Sequence, residues 1–222
     1  MAGLLIVGTG PGIATSVARR FGTAGMPVAL LARSQASIDA AVAALARAGV
    51  EQVAATTADA ARESDLRAAL DRLVAQHGVP EVVVYNAGLI QADRPGELSH
   101  ERHQQAYAVN VLGALTTASH LAAAMGEAGG GTIVVTGGMP EPVPSHVSLS
   151  LGKAAVRALT SILAQQYGPA GVHVATITVA GAVAPDTDFD PDRIAEQYWR
   201  LHRQPRDAWE HEVLFAGEPV RH

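Results

Sequence analysis

The sequence predicts a doubly wound parallel α/β sheet, three layers deep (α/β/α), in one domain. Three observations predict it. Short runs rich in valine, isoleucine and leucine alternate with longer alanine-rich stretches, the short runs are apolar on both faces, and the longer stretches carry apolar stripes at helical spacing. Such alternation builds a sheet through right-handed crossovers that place helices on both sides. With 222 residues, 48% of them apolar, the chain is long enough for one sizeable core and too short for two ordinary domains.

The strands are expected at 4–7, 28–31, 53–56, 82–85, 132–136 and 174–179, each brief and uninterrupted. Between the early strands, Ile13, Val17 and Phe21 fall at four-residue steps, Ile38, Val42 and Leu45 form a second stripe, and Leu66, Leu70, Leu73 and Val74 a third. Longer helices are expected over 100–125, leading into the glycine-rich turn at 126–131, and over 149–166. After Gly181 the composition shifts. Pro185, Asp186, Asp188, Asp190 and Asp192 predict a loop, 194–202 a helix and 212–215 a last strand. Residues 1–183 thus read as the core, and 184–222 as a substrate loop, helix and closing strand of the same domain.

A net charge of −5 with scattered basic residues offers no stripe for nucleic acid or an anionic membrane, so small molecules are the expected partners. The chain has no cysteine, which removes disulfides, thiolate nucleophiles and cysteine-bound metals and fits a reducing cytoplasm. The opening residues lack a basic leader, and no run of about 18 uninterrupted apolar residues occurs, so neither a secretory signal nor a membrane span is expected.

Directly after the first strand comes Gly8-Thr9-Gly10-Pro11-Gly12-Ile13-Ala14, where the first helix opens. Glycines permit the tight turn and let backbone N–H groups approach a pyrophosphate, while the helix N-terminus contributes favourable partial charge. An ordinary strand-to-helix turn is the alternative. Its place between first strand and first helix favours dinucleotide binding and a Rossmann-type sheet. At the end of the second strand, Ala32-Arg33-Ser34 supplies no carboxylate for a ribose 2′-hydroxyl, whereas Arg33 can grip a 2′-phosphate and Ser34 can add a donor. NADP(H) is therefore expected over NAD(H), the competing reading being that Arg33 only decorates the surface.

The spacing Gly8-x-x-x-Gly12-Ile13-Ala14 resembles the Gly-x-x-x-Gly-Ile-Gly pattern of the short-chain dehydrogenase/reductase family, with Ala14 for the last glycine. The similarity continues in order through Asp59, Tyr85-Asn86-Ala87-Gly88, Asn110 and Lys153, spanning about residues 4–183. It implies that Asp59 binds the adenine amino group, with helix capping as its alternative, and that Asn86, Ala87 and Gly88 lie beside the cofactor. It further implies a catalytic set of Asn, Ser, Tyr and Lys acting with a nicotinamide on a carbonyl or hydroxyl. Asn110 matches the asparagine and Lys153 the lysine. The tyrosine position, four residues before the lysine, holds Leu149, which can neither donate nor accept a proton.

Counting forward from Gly131 puts the serine position at Gly138; counting back from Leu149 puts it at Thr136, whose hydroxyl would then substitute. His146 is the first candidate for a replacement proton donor because its pKa falls near neutrality, with Ser145, Ser148, Tyr85 and Tyr107 behind it. Lys153 either holds the nicotinamide ribose or, with a lowered pKa, serves as the acid itself. Where the family has Pro-Gly after the sixth strand this chain has Ala180-Gly181, so Gly181 and Val183 are placed at the cofactor and Thr187 near the pyrophosphate. Ile194, Tyr198 and Leu201 pack a helix onto the core or form a lid. A homo-oligomer, dimer or tetramer, is expected through the two long helices. Three functions remain open: an NADP(H)-dependent oxidoreductase with a degenerate catalytic set, a non-catalytic NADP(H)-binding partner or sensor, and a non-redox cyclase or dehydratase on the same fold.

Overall fold

Apolar residues on both faces of each strand demand cover from both sides. The computed structural model, which describes residues 3–217, supplies it. Its strands are β1 (Leu4–Val7), β2 (Val28–Ala32), β3 (Val53–Thr57), β4 (Val82–Tyr85), β5 (Gly131–Thr136), β6 (Val172–Val179) and β7 (Glu212–Phe215). All pair in parallel in the order β3-β2-β1-β4-β5-β6-β7. Residues 1–2 and 218–222 of the expected domain lie outside the described residues.

Alternation along the strands divides the core in two. Leu4 and Ile6 join one cluster with α1 (Ile13–Gly22), α2 (Gln35–Arg47) and α7 (Pro191–Arg203); Leu5 and Val7 join the other with α3 (Glu63–His77), α5 (Gly113–Glu127) and α6 (Val147–Tyr167). The stripe Ile194, Tyr198 and Leu201 is wholly inside, so α7 is packed as a wall of the core. Arg20 binds Glu196 at 2.6 Å and lies 4.2 Å from the Trp199 ring centre, and Arg19 pairs with Asp192, fastening α7 to α1.

Three expectations need correction. The helix expected over 100–125 is instead α4 (His100–Tyr107), a π-helical turn at 108–112 and α5, the inserted turn being held by Tyr85 and by the pairing of Asn110 with Leu89. Helix α6 starts at Val147, before the expected Leu149, because the Asp93 carboxylate receives the Ser148 N–H at 2.9 Å and caps the earlier turn. In α2 the buried stripe is Ile38, Ala41 and Leu45, with Val42 turned outward. By length and composition, the stretches 100–127 and 147–170 are each apolar enough to cross a membrane, yet about half of each such window is buried in the fold.

At the amino end of β6, His173 is buried with Nδ1 at 3.1 Å from the Leu201 carbonyl and Nε2 at 2.9 Å from that of Glu210. Burial lowers its pKa, outweighing the two carbonyls, which favour the charged ring. A depressed histidine pKa makes its stabilising contribution complete above the ordinary value and lost as pH falls through the folded one. Thermal scans should therefore show the melting temperature falling between about pH 7 and 5, with a shallower slope for His173→Gln.

Candidate functional site

The strand order reverses direction of growth at β1 and β4, and there the loops leaving the two strands part. Gly8 and Gly12 both adopt φ +93°, open to glycine and costly for other residues. A Cβ on Gly8 would lie 2.1 Å from the Ala87 nitrogen. The turn is tied down from three sides. Gly8 and Thr9 N–H groups donate to the Leu31 carbonyl at 2.8 and 3.0 Å, Asn86 Nδ2 donates to the Gly8 carbonyl at 3.0 Å, and Thr15 Oγ1 donates to the Gly10 carbonyl at 2.9 Å. Thr9 Oγ1 points back to Leu31, so its contribution to the loop is structural.

Gly12 caps α1 without a side chain, followed by Ile13, while Gly10 has open space around it. Val183 is brought within 3.9 Å of a Cβ built on Gly12 and shares with Gly10 and Gly12 a groove of about 730 Å³. Gly181 is pressed against the Phe189 ring, 2.2 Å from its would-be Cβ, which fixes the 180–190 connection. Thr187 donates to the Ala184 carbonyl within that connection.

At the ends of β2 and β3, Arg33 and Asp59 line a cleft of about 380 Å³ together with Arg72. Ser34 is spent as the cap of α2, accepting from the Ser37 N–H at 3.3 Å. Asp59 accepts from the Ala61 N–H at 3.0 Å and so shapes its own turn, while α3 starts later, at Glu63. Gly88 carries the chain past Asn110, its would-be Cβ 3.6 Å from Asn110 Oδ1.

The π-helical turn presents Asn110, buried, with Oδ1 accepting from the Leu89 N–H at 2.7 Å and Nδ2 donating to the Leu89 carbonyl at 3.2 Å. Its amide thus pairs with the post-β4 loop as another backbone would. Tyr85 closes the turn from below by donating to the Val109 carbonyl, in space left by Gly113, and its pKa is raised by burial and then by the Asp59 charge. Gly152 lets α6 approach, its would-be Cβ 3.1 Å from that of Asn110.

Lys153 Nζ donates to the Thr136 carbonyl at 2.7 Å, and burial lowers its pKa to about 8. One turn earlier Leu149 is buried, and Gly138 stands beside the lysine, a built Cβ falling 3.8 Å from Lys153 Cε. Thr136 itself does not serve as the substitute hydroxyl. Strand alternation turns its side chain to the α7 face, where it meets Asn86 and Tyr198, while Lys153 approaches from α6 on the opposite face.

His146 stands at the start of α6 with Nδ1 3.1 Å from Ser145 Oγ, and Ser148 donates its hydroxyl to Asp93 at 2.9 Å. Asp93 is the residue sequence reasoning missed: buried, it holds the 145–148 segment through its carboxylate and both backbone groups. No local pattern signals a cap supplied from 55 positions away. A separate apolar cavity of about 260 Å³, lined by Leu5, Ala29 and Leu73, lies at the other end of the strands.

Positive φ sets Gly8 and Gly12 apart from their neighbour Gly10, and Gly8 alone is also pressed against backbone, at Ala87. Gly8→Ala should cost about 3 kcal/mol or more, from positive φ and the clash with Ala87 together, lowering the melting temperature by roughly 6–12 °C. Gly10→Ala, with no atom within 4 Å of the new methyl, should change it by no more than about 2 °C.

Comparison with known proteins agrees with this architecture. A family model described as short chain dehydrogenase matches residues 3–194. D-threitol dehydrogenase of Mycolicibacterium smegmatis is 29% identical over 178 residues, covering 78% of this chain and 67% of that protein. Glucose 1-dehydrogenase 2 of Bacillus subtilis is 27% identical over 213 residues, covering 92% of this chain and 81% of the relative. The structure of a metagenomic short-chain oxidoreductase in complex with NADP is similar at a TM-score of 0.87 and 24% identity, covering 100% of this chain and 99% of that one, a likeness of fold. With the match running from β1 into α7, through the glycine turn, the π-helical turn and the lysine helix, the chain belongs to the short chain dehydrogenase family.

Proposed function

We propose that this chain is an NADP(H)-dependent oxidoreductase acting on a carbonyl or hydroxyl of a small organic molecule, with a degenerate proton-transfer set. The carrying observation is the conjunction, at one end of the sheet, of the Gly8–Gly12 turn and the half-buried Lys153, with leucine at position 149 one helical turn before it. The residues fit a dinucleotide. The turn opens at the N-terminus of α1 for a pyrophosphate, Val183 borders it, and Arg33 without a carboxylate at Ala32 suits a 2′-phosphate. Asp59 and the Asn86-Ala87-Gly88 segment would flank the adenosine and the nicotinamide end. Bound there, the nicotinamide supplies hydride exchange, and Lys153 holds its ribose. NADP in the metagenomic neighbour supports the choice of cofactor.

Leu149 is buried one helical turn before Lys153 and has no proton to donate. A positioned acid typically contributes ~10²–10⁴-fold in rate, so turnover of ordinary ketones should be slow by about that factor. His146, at the start of α6 with Nδ1 3.1 Å from Ser145 Oγ, is the proposed replacement donor, since Ser148, Tyr85 and Asn110 are engaged elsewhere. That same engagement favours the second reading, a non-catalytic NADP(H)-binding partner or sensor. Assembly of copies through α5 and α6 is supported by Leu115 on α5 and Leu151 and Ile162 on α6, apolar and exposed. The absence of cysteine keeps a reducing cytoplasm as the proposed setting.

Fluorescence titration should give NADPH a dissociation constant at least about tenfold below that of NADH, with Arg33→Ala removing most of the difference; failure of NADPH to bind would refute the proposal. Because Lys153 is charged below its pKa of about 8, NADPH affinity should fall as pH rises through that value, and Lys153→Met should flatten the profile. Turnover with a carbonyl panel separates the two readings. The oxidoreductase turns over slowly as it stands, whereas the binding protein shows none and gains activity at most on Leu149→Tyr.

A further inference from the structure

A line of hydrogen bonds crosses the sheet behind the glycine turn. On α7, Tyr198 is fully buried with its hydroxyl 2.7 Å from Thr136 Oγ1; Thr136 donates to Asn86 Oδ1 at 3.0 Å, and Asn86 Nδ2 donates to the Gly8 carbonyl at 3.0 Å. The line has a direction. A hydroxyl owns one proton, and that of Thr136 goes to Asn86, so Tyr198 must be the donor to Thr136. Burial raises the Tyr198 pKa and keeps the phenol protonated for that role. The same logic orients the Asn86 amide, whose oxygen faces Thr136 and whose nitrogen faces Gly8.

The far end of the line is a tightly constrained peptide, since Gly8 holds φ +93° against the Ala87 backbone. Helix α7 also grips α1, into which the turn leads, through Arg19–Asp192 and Arg20–Glu196. Packing alone does not require the phenol. A phenylalanine would fill nearly the same volume without burying a hydroxyl, which costs free energy unless the hydroxyl is bonded.

We propose that Tyr198 is a positioning residue for the dinucleotide turn: acting through Thr136 and Asn86, its hydroxyl sets the Gly8–Thr9 peptide, whose own N–H is held by Leu31, and so the course of the turn beyond it, where the N–H groups that face a pyrophosphate follow. Helix α7, which closes the proposed substrate segment, is thereby coupled to nucleotide affinity. This inference rests on the reading of the Gly8–Gly12 turn as a nucleotide site, and its test separates the two.

NADPH titration and amide hydrogen exchange on the full chain provide that test. Tyr198→Phe and Thr136→Val should each weaken NADPH binding about three- to tenfold, the scale of one buried hydrogen bond. Exchange should quicken at Gly8–Gly12 and not across the sheet. Thr136→Ser should restore wild-type binding, and the double variant Tyr198→Phe/Thr136→Val should bind no more weakly than Thr136→Val alone, because both act on one line. Unchanged affinity and exchange in the single variants, additive losses in the double, or exchange accelerated equally throughout the sheet would each overturn the positioning role. If the wild-type protein binds no NADPH, the nucleotide reading fails, and exchange at Gly8–Gly12 in the free protein still decides whether Tyr198 sets the turn.

Discussion

Two backbones meet where β1 and β4 end, with no side chain between them, and the rest of the site depends on that approach. A single methyl on Gly8 would occupy the place of the Ala87 nitrogen. Because β1 and β4 are neighbours whose onward connections go to opposite sides of the sheet, their loops splay and leave a crevice, and the approach of Gly8 to Ala87 forms its floor. The N-terminus of α1 is aimed into that crevice by the same turn. The glycine turn, the Asn86 segment and the end of β5 are therefore one assembly sharing hydrogen bonds, and a disturbance in one is felt in the others.

Around this floor the polar side chains are largely committed to structure. Asn110 holds the loop after β4, Tyr85 holds the π-helical turn, Ser34 caps α2, and Ser148 with Asp93 caps α6. Each satisfies a buried or terminal polar group that would otherwise be costly to leave unpaired. The consequence for the proposed chemistry is a lysine beside Gly138, one helical turn after Leu149, with its pKa lowered by burial and its ammonium hydrogen-bonded to the Thr136 carbonyl.

Much of this was legible in the chain of letters. Strand positions came within two residues because a buried parallel strand must be apolar on both faces, a signal that is local and hard to disguise. The glycine turn was legible because only glycine combines positive φ with close backbone approach. Helix α7 was legible as well, since Ile194, Tyr198 and Leu201 repeat at helical spacing. The π-helical turn was not: it is stabilised by Tyr85 and Leu89, which lie about twenty positions away and leave no mark on the local pattern. The Asp93 cap failed for the same reason.

Residue type at a given spacing is enough to set the alternation of elements, the glycine turn, Arg33 in place of an acid, and Leu149 four positions before Lys153. What each hydroxyl and carboxylate faces was settled by packing in three dimensions. Thr136 shows the difference most plainly: its residue type allowed a role beside Lys153, but its parity on β5 sends the hydroxyl to the α7 face, into a line ending at Gly8. A side chain's chemistry is written locally, whereas its partner is chosen by whichever distant element the fold packs against it.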